Sequence, residues 1–336
     1  MTMTAFYAVE GQGIASLERR ELPLPEPGPG EALVRLRAAT LNFRDLLFLK
    51  GILTGHTTES GYVPLSCGAG EVLAVGAGVT RVKPGQRVIP MFAPGWISGE
   101  RDQSNIGHLG ARSDGVARTH GIFLAEGLTV TPDELSDLEA ATLPCAALTA
   151  WNSLFAHRVT RPGDVVVLQG TGGVSIAALQ MAKAAGAEVI ITSSSDAKLT
   201  RARALGADHT VNYRATPDWA AEVRHLTGGR GANLLIDVVG ADQLAQSEAA
   251  LADDAIIAAV GMLSIAGGFS WGKEARAPII PIAVGNRNDF EAMLRGLRIN
   301  RVRPVVDRLF PLEQLPEALR TMERGDFFGK VGILID

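Results

Sequence analysis

The residues with the clearest chemistry are three small ones near the middle of the chain, Gly170, Gly172 and Ser175. Ahead of them, Val165 to Leu168 form a continuous apolar run, the pattern of a strand buried on both faces. Behind them, apolar residues recur at 174, 178, 181 and 185, the spacing of one face of a helix. A strand, a glycine turn and a helix in that order open a dinucleotide-binding βαβ unit. Gly170 permits the tight turn, and Gly172 lets the backbone approach a pyrophosphate with no Cβ in the way. A helix beginning near Gly173 aims free N–H groups and its dipole at that anion, worth about 0.3–1 kcal/mol beyond the hydrogen bonds. Ser175 replaces the third fingerprint glycine and is small enough for close helix–strand packing. Gly170, Thr171, Gly172, Gly173 and Val174 are therefore the expected pyrophosphate-binding residues.

The surrounding pattern can position such a turn. From residue 164 onward, apolar strands at 165–168, 189–192, 234–238 and 255–260 alternate with helices near 173–185, 196–205, 218–226 and 242–251. That alternation predicts an α/β fold, a doubly wound parallel sheet with its ligand at the carboxyl ends of the strands. The second strand ends in Ser193, Ser194 and Ser195, where NAD-binding sheets carry an Asp or Glu for the ribose 2′-hydroxyl. Hydroxyls there do not repel a 2′-phosphate, and Lys198 follows one helical turn on. Asp196 is near enough in sequence to oppose a phosphate. NADPH is expected over NADH by about 10–100-fold, if one or two charge-assisted bonds of ~1.5–3 kcal/mol are gained.

The flanks read differently. Residues 1–90 are β-rich: Glu31 to Ala38 alternates like a half-buried strand, 42–49 suits a short helix, and 67–75 suits a glycine-loosened strand. Lys83-Pro84-Gly85-Gln86 suits a type II turn leading into a strand at 87–90. Residues 92–115 have no period and predict a long loop, either functional or disordered. Residues 133–157 look helical, with Pro144 breaking the run. Two amphipathic helices, near 288–298 and 312–324, precede a final apolar strand from Lys330. Local pattern leaves open whether that tail extends the parallel sheet or returns to the first domain.

Totals bound the function. A chain of 336 residues is comfortable for two domains. A net charge of −4 with 46% hydrophobic residues gives no footprint for nucleic acid or an anionic membrane. No apolar run approaches the ~18 residues of a membrane span, and the opening segment lacks a signal peptide's core. Two cysteines, Cys67 and Cys145, make no disulfide framework, so a cytoplasmic location is expected.

Further segments carry a likeness: Gly-Ala-Gly-Glu-Val at 68–72, Lys-Pro-Gly-Gln-Arg-Val at 83–88, Ala-Ala-Thr-Leu-Pro-Cys at 140–145 and Leu-Thr-Ala-Trp at 148–151. Gly-Thr-Gly-Gly-Val-Ser at 170–175, Ala-Lys-Ala-Ala-Gly-Ala at 182–187, Leu-Gly-Ala-Asp at 205–208, Asn-Tyr-Arg at 212–214 and Phe-Gly-Lys-Val at 328–331 complete the set. In this order the chain resembles the medium-chain dehydrogenase/reductase superfamily over essentially its whole length. The resemblance implies a GroES-like β-rich catalytic domain, 1–146 plus 285–336, into which a Rossmann domain, 147–284, is inserted. The C terminus would then return to the first domain. It also implies that Thr149, Val260, Gly261 and Ile282 to Val284 line the nicotinamide, that Tyr213 joins Ser193, Ser194 and Lys198 near the phosphate, and that Lys330 reaches the cofactor from the tail.

The zinc-dependent alcohol dehydrogenases of this superfamily hold catalytic zinc through Cys, His and Cys, and those positions are Asn42, Ser66 and Cys145 here. One thiolate cannot hold zinc, and the segment matching the structural-zinc lobe, 92–114, has no cysteine. A zinc-free protein is expected. Cys67, near the lost metal, is implied to approach Cys145, as two small buried hydrophobes or as a redox or soft-metal pair. Zinc-free relatives are mostly quinone oxidoreductases, alkenal reductases and enoyl reductases, whose acceptors spread charge without a Lewis acid. Asn42 is expected to orient a carbonyl, and Asp45 to stand behind it as support or proton relay. Phe43 replaces a tyrosine common in related sequences, which leaves water as a proton source; His56 and His108 lie in loops that could flank the cleft. The expectation is a homodimeric, zinc-independent, NADPH-dependent oxidoreductase that transfers hydride to a quinone or α,β-unsaturated carbonyl. The alternatives are a zinc-free alcohol/ketone dehydrogenase and a non-catalytic NADPH-binding protein.

Overall fold

The computed structural model describes residues 1–55, 61–102, 107–261 and 275–336. The chain divides into two compact units. One comprises Met1–Leu148, Gly285–Arg295 and Arg303–Asp336; the other comprises Thr149–Val284 and Gly296–Val302.

The second unit is built on Val165–Gln169, whose five residues are all buried. Aliphatic side chains on both faces leave no solvent side, so helices must cover both. The parallel sheet runs in the order His209–Asn212, Glu188–Ser193, Val165–Gln169, Ala232–Asp237, Leu251–Ala259, Ile279–Pro281. The chain starts at Val165–Gln169, steps outward twice, then resumes on the other side of its starting strand. That reversal, between Val165–Gln169 and Ala232–Asp237, is where doubly wound sheets open a crevice at their carboxyl ends. Val165, Val167, Ile190, Val211, Trp219, Leu235 and Ile257 belong to its core.

Among the strands that escape the sequence patterns are three at sheet edges. His209–Asn212 is short and mostly polar, Ile279–Pro281 has three residues, and Val306–Pro311 carries charges. Each is held by pairing with its neighbour, not by its own periodicity. Helix Gly173–Ala184 is also rotated from the expected stripe: Ser175, Ile176, Ala178, Leu179, Met181 and Ala182 are buried, while Val174 and Ala185 are half-buried. Ser175, Ala178 and Ala182 are the small members of that buried face. The expected helix at 242–251 is a 3-10 turn, Ala241–Gln243, followed by Leu244–Ala249, and Leu251 already begins the next strand.

In the first unit the sheet order is Val306–Pro311, Lys330–Leu334, Glu31–Thr40, Cys67–Val75, Arg87–Pro90, Leu128–Val130, with His120–Leu124 also on Glu31–Thr40. The C-terminal strand pairs antiparallel with Glu31–Thr40, Gly332 opposite Thr40, so the tail returns to the first unit. Gly85 supplies the positive φ of the expected turn, +84°, and Gln86 N–H donates to Lys83 O at 3.1 Å. Residues 92–115 contain no helix or named strand among their described positions.

Pro144 does not break the helical run. Asp137–Ala141 is α-helical, Leu143–Ala147 is a π turn, and Leu148–Phe155 is α-helical again. Leu148 N–H reaches back five residues to Leu143 O, so the wider π turn lets the helix continue past the proline. Residues 296–302, expected in the first domain, fall in the second unit. Gly296 lies against Trp151, where a Cβ would come within 3.1 Å of the indole ring.

Candidate active site

In the second unit the glycine turn has the geometry a pyrophosphate needs. Gly170 has φ +71°, a conformation glycine adopts without cost. Gly172 caps the helix Gly173–Ala184 with φ −82°, and a Cβ built there meets no heavy atom within 4 Å. The protein's own packing therefore does not demand glycine at 172, and the open space above it suits a ligand. Ser175 is buried, and its Oγ donates to Gln169 O at 2.7 Å, tying the helix to the end of the strand.

The other expected cofactor residues lie at or just beyond the carboxyl ends of the same sheet, except Thr149, which is buried in the helix Leu148–Phe155, and Lys330, which belongs to the first unit. Ser193 is buried, with Oγ accepting from Ser195 N–H at 3.3 Å, and Ser195 Oγ accepts from Lys198 N–H at 3.4 Å. Ser194 and Lys198 are half-buried, and Tyr213 is exposed beside them, its N–H on Ser193 O. Asp196 carries the carboxylate that threatened a phosphate, and Asn212 Nδ2 holds its Oδ1 at 2.8 Å. At Gly261 the glycine has an internal reason: a Cβ would stand 2.6 Å from Gly240 N. Val260 N–H donates to Asp237 O and Ile282 N–H to Ala259 O, both at 2.9 Å. Val284 has φ +53°, strained for a β-branched residue by about 1–3 kcal/mol.

In the first unit a buried polar cluster surrounds Asn42. Asn42 begins the helix Phe43–Leu49; its N–H donates to Asp45 Oδ2 at 2.8 Å, while Asp45 N–H donates back to Asn42 O at 2.9 Å. Asp45 thus holds the backbone that carries Asn42. Burial pushes the Asp45 carboxyl up, against the pull of Arg44, the Asn42 N–H and Lys330. Asn42 Nδ2 donates to Ser66 Oγ at 3.2 Å and to Cys67 Sγ at 3.1 Å. On the opposite side of the amide, the Lys330 ammonium donates to Asn42 Oδ1 at 2.6 Å and to Leu41 O.

Lys330 is buried, and its two bonds here run to the helix start, not to the dinucleotide turn. Sequence reasoning gave it to the cofactor and missed the link to Asn42, because the two are 288 residues apart. Cys67 and Cys145 perturb each other's thiols. Burial pushes the Cys67 thiol up, but Cys145, the Lys330 charge, Asn42 and Ser66 together bring it below its ordinary value. The same pairing, with burial, pushes Cys145 up. Leu65, just before this cluster, has φ +69°. Phe43 packs against the apolar core.

His108 is not a free base. Its Nε2 lies 2.9 Å from Arg101 Nη2 and its ring 5.0 Å from that of Phe92. Burial lowers its pKa to about 4, helped by Arg101, Arg44 and Arg112. His56 lies outside the described residues.

Residues 28–138 match the alcohol dehydrogenase GroES-like domain, and residues 173–298 match the zinc-binding dehydrogenase family. The chain is 40% identical to a zinc-type alcohol dehydrogenase-like protein of Schizosaccharomyces pombe, over 99% of this chain and 100% of that one. The chain belongs to the medium-chain dehydrogenase/reductase superfamily. It is also 33% identical to a 2-haloacrylate reductase of Burkholderia sp., over 79% of this chain and 74% of that one. Among solved structures of this superfamily, an NAD-dependent alcohol dehydrogenase superposes with a TM-score of 0.88 at 34% identity, covering 99% of this chain and 100% of that one. A mycobacterial protein complexed with NADPH superposes with a TM-score of 0.82 at 25% identity, covering 99% of each chain. The chain is an oxidoreductase of this superfamily with its Rossmann and GroES-like folds.

Some members of the superfamily hold catalytic zinc where Asn42, Ser66 and Cys145 stand. The residues present do not fit that ion. Asn42 turns its N–H group toward the sulfur and hydroxyl, and its carbonyl oxygen is taken by an ammonium. A dication would lie beside that fixed positive charge with too few anionic donors. Among the described residues, no three His, Cys, Asp or Glu side chains form a group able to hold a metal. A nicotinamide dinucleotide does fit the second unit, on the open face above Gly172 and the free N–H groups of the following helix.

Proposed function

We propose that this protein is a zinc-independent, NADPH-dependent reductase of quinones or α,β-unsaturated carbonyl compounds. One observation carries the reading: a buried ammonium, Lys330, is bonded to Asn42 Oδ1, and Asn42 is one of the positions that the family resemblance matches to a zinc ligand. Bound NADPH would supply hydride to the acceptor. The chain's own contribution is electrostatic. Lys330 places a fixed cation where negative charge develops on the acceptor oxygen, and Asn42 holds that cation in position. Asp45 keeps the Asn42 backbone from shifting. Such a cation is weaker than zinc as an electrophile, which suits acceptors that spread charge over a conjugated system. No hydroxyl stands at Phe43, so water is the proton source in this reading.

The preference for NADPH rests on the serine-ended second strand, with Lys198 and Tyr213 at its edge and Asp196 engaged by Asn212. The likeness to a 2-haloacrylate reductase supports reduction of an activated double bond. The likeness to alcohol dehydrogenases favours a second reading, a zinc-free alcohol/ketone dehydrogenase. NADPH oxidation with an enone and with the matching saturated ketone, products identified, separates the two. Reduction of the C=C bond is expected; turnover only of the ketone overturns the reading, and loss of stoichiometric metal together with activity on chelation overturns zinc independence. Titration of both nicotinamides by fluorescence tests the cofactor, with ~10–100-fold tighter NADPH binding expected. We further propose a cytoplasmic homodimer. Both cysteines are free thiols, as a reducing compartment would keep them. No helix among the described residues is long and apolar enough to cross a membrane.

A further inference from the structure

Buried polar side chains join the two strand ends at the reversal of the parallel sheet. Gln169 closes Val165–Gln169, Asp237 closes Ala232–Asp237, and Ser247, on the short helix Leu244–Ala249, links them. Gln169 Nε2 donates to Ser247 Oγ at 3.2 Å, and Ser247 Oγ donates to Asp237 Oδ2 at 3.3 Å. The serine hydroxyl has one hydrogen and the carboxylate takes it, so the amide is fixed with its nitrogen toward Ser247. The Gln169 carbonyl oxygen is then buried with no partner among the described residues. Apolar side chains at these three positions would leave no orphan acceptor and no buried carboxylate, so packing alone does not explain the network.

What the network fixes lies on the far side of Asp237. Asp237 Oδ1 accepts from the Val239 and Gly240 N–H groups, both at 2.8 Å, while Asp237 O accepts from Val260 N–H at 2.9 Å. One residue therefore holds both the turn after its own strand and Val260, just past the strand Leu251–Ala259. The two segments also touch: a Cβ at Gly261 would stand 2.6 Å from Gly240 N and 3.1 Å from Val239 C. Burial pushes the Asp237 carboxyl up, and the Gly240, Val239 and Ser247 bonds draw it back.

We propose that Asp237, steadied by Ser247 and Gln169, is a positioning residue for the nicotinamide half of the bound dinucleotide. The inference rests on the proposed function and on the family resemblance that sets Val260 and Gly261 along the nicotinamide. Asp237 acts through the backbone: its carboxylate fixes residues 239–240, against which Gly261 lies, and its carbonyl fixes Val260. The partners of the carboxylate are Val239, Gly240 and Ser247, none of them in the pyrophosphate turn. The adenosine half of the ligand should therefore bind without it.

The test measures two ligands on the full-length protein: NADPH by fluorescence titration, and 2′-phospho-ADP-ribose, which lacks the nicotinamide, by calorimetry. Asp237→Ala is expected to weaken NADPH about 10-fold and Ser247→Ala about fivefold, with 2′-phospho-ADP-ribose within about twofold of wild type in both. Asp237→Asn keeps an acceptor for the two N–H groups and should hold NADPH within about threefold of wild type. A network that only supports the fold would weaken both ligands alike. Parallel weakening of the two ligands, unchanged NADPH affinity, or an Asp237→Asn as weak as Asp237→Ala would each overturn the proposal; if Asp237→Ala fails to fold, the split in Ser247→Ala decides. The same measurements with NADH and ADP-ribose keep the split visible if NADH is the preferred cofactor, so a wrong cofactor and a wrong inference are told apart. Wild-type protein that binds neither dinucleotide would overturn the proposed function and this inference together.

Discussion

At the scale of single residues, the proposed function rests on Lys330 and Asn42. An ammonium with two backbone-anchored acceptors is pre-oriented, so it does not reorganise as charge develops nearby. Replacing it with an apolar side chain of similar length should remove that field without emptying the volume. We predict that Lys330→Met lowers kcat for enone reduction by about 10²–10³-fold, the usual cost of losing one charge-stabilising donor. NADPH affinity, read by fluorescence titration, should stay within about twofold. A lysine serving the cofactor, the role the family resemblance implied, would show the reverse. The residue types at the positions that hold zinc in some relatives were legible from Asn42, Ser66 and the cysteine count. The partner of Lys330 was not, because a lysine near a chain end carries no local mark of what it will touch.

Among the elements, the turn between Val165–Gln169 and Gly173–Ala184 separates two reasons for glycine. Gly170 needs its hydrogen side chain for its own backbone, whereas Gly172 needs it only for a guest. Gly170→Ala is predicted to cost ~1–2 kcal/mol in urea unfolding, the penalty of placing a Cβ in the left-handed region. Gly172→Ala should leave stability within ~0.5 kcal/mol, yet weaken dinucleotide binding by at least ~10-fold, about 1.4 kcal/mol. A large loss of stability at 172 would mean that the space above it is needed by the protein itself. Elements with a strong internal period were readable: the buried strand at 165–168 and the glycine turn both follow from neighbours in sequence. His209–Asn212 and the π turn at Pro144 were not, since one is stabilised by its pairing and the other by a change of hydrogen-bond register within a buried helix.

Across the whole molecule, pH and association give two further tests. His108 holds its proton less tightly when folded, about 4 against an ordinary value near 6.5, because burial and three arginines disfavour the imidazolium. Between those values the unfolded chain binds a proton that the folded chain does not. The His108 contribution to stability is therefore fully present above pH 6.5 and is lost as pH falls from about 6.5 toward 4. NMR titration should find its ring neutral at pH 5.5, and His108→Asn should flatten the pH dependence of unfolding in that window. Association is argued from the parallel sheet, which ends, among the described residues, on the short strand Ile279–Pro281. An edge strand offers unpaired backbone groups to a second copy, and light scattering is expected to return twice the monomer mass; the monomer mass would remove the dimer from the proposal.

By itself the sequence determined what depends on near neighbours. The strand–glycine–helix unit, the alternation that makes the sheet parallel, the carboxylate-free end of its second strand and the shortage of zinc donors all follow from spacing and residue type over short stretches. Tertiary structure alone decided which distant residues meet. Pairing of the C-terminal strand with Glu31–Thr40, Gly332 opposite Thr40, brings Lys330 to Asn42 and sets a cation beside Cys67 and Cys145. Periodicity reports which face of an element is buried, but the identity of the partner across that face depends on strand pairing and register, which no local pattern encodes.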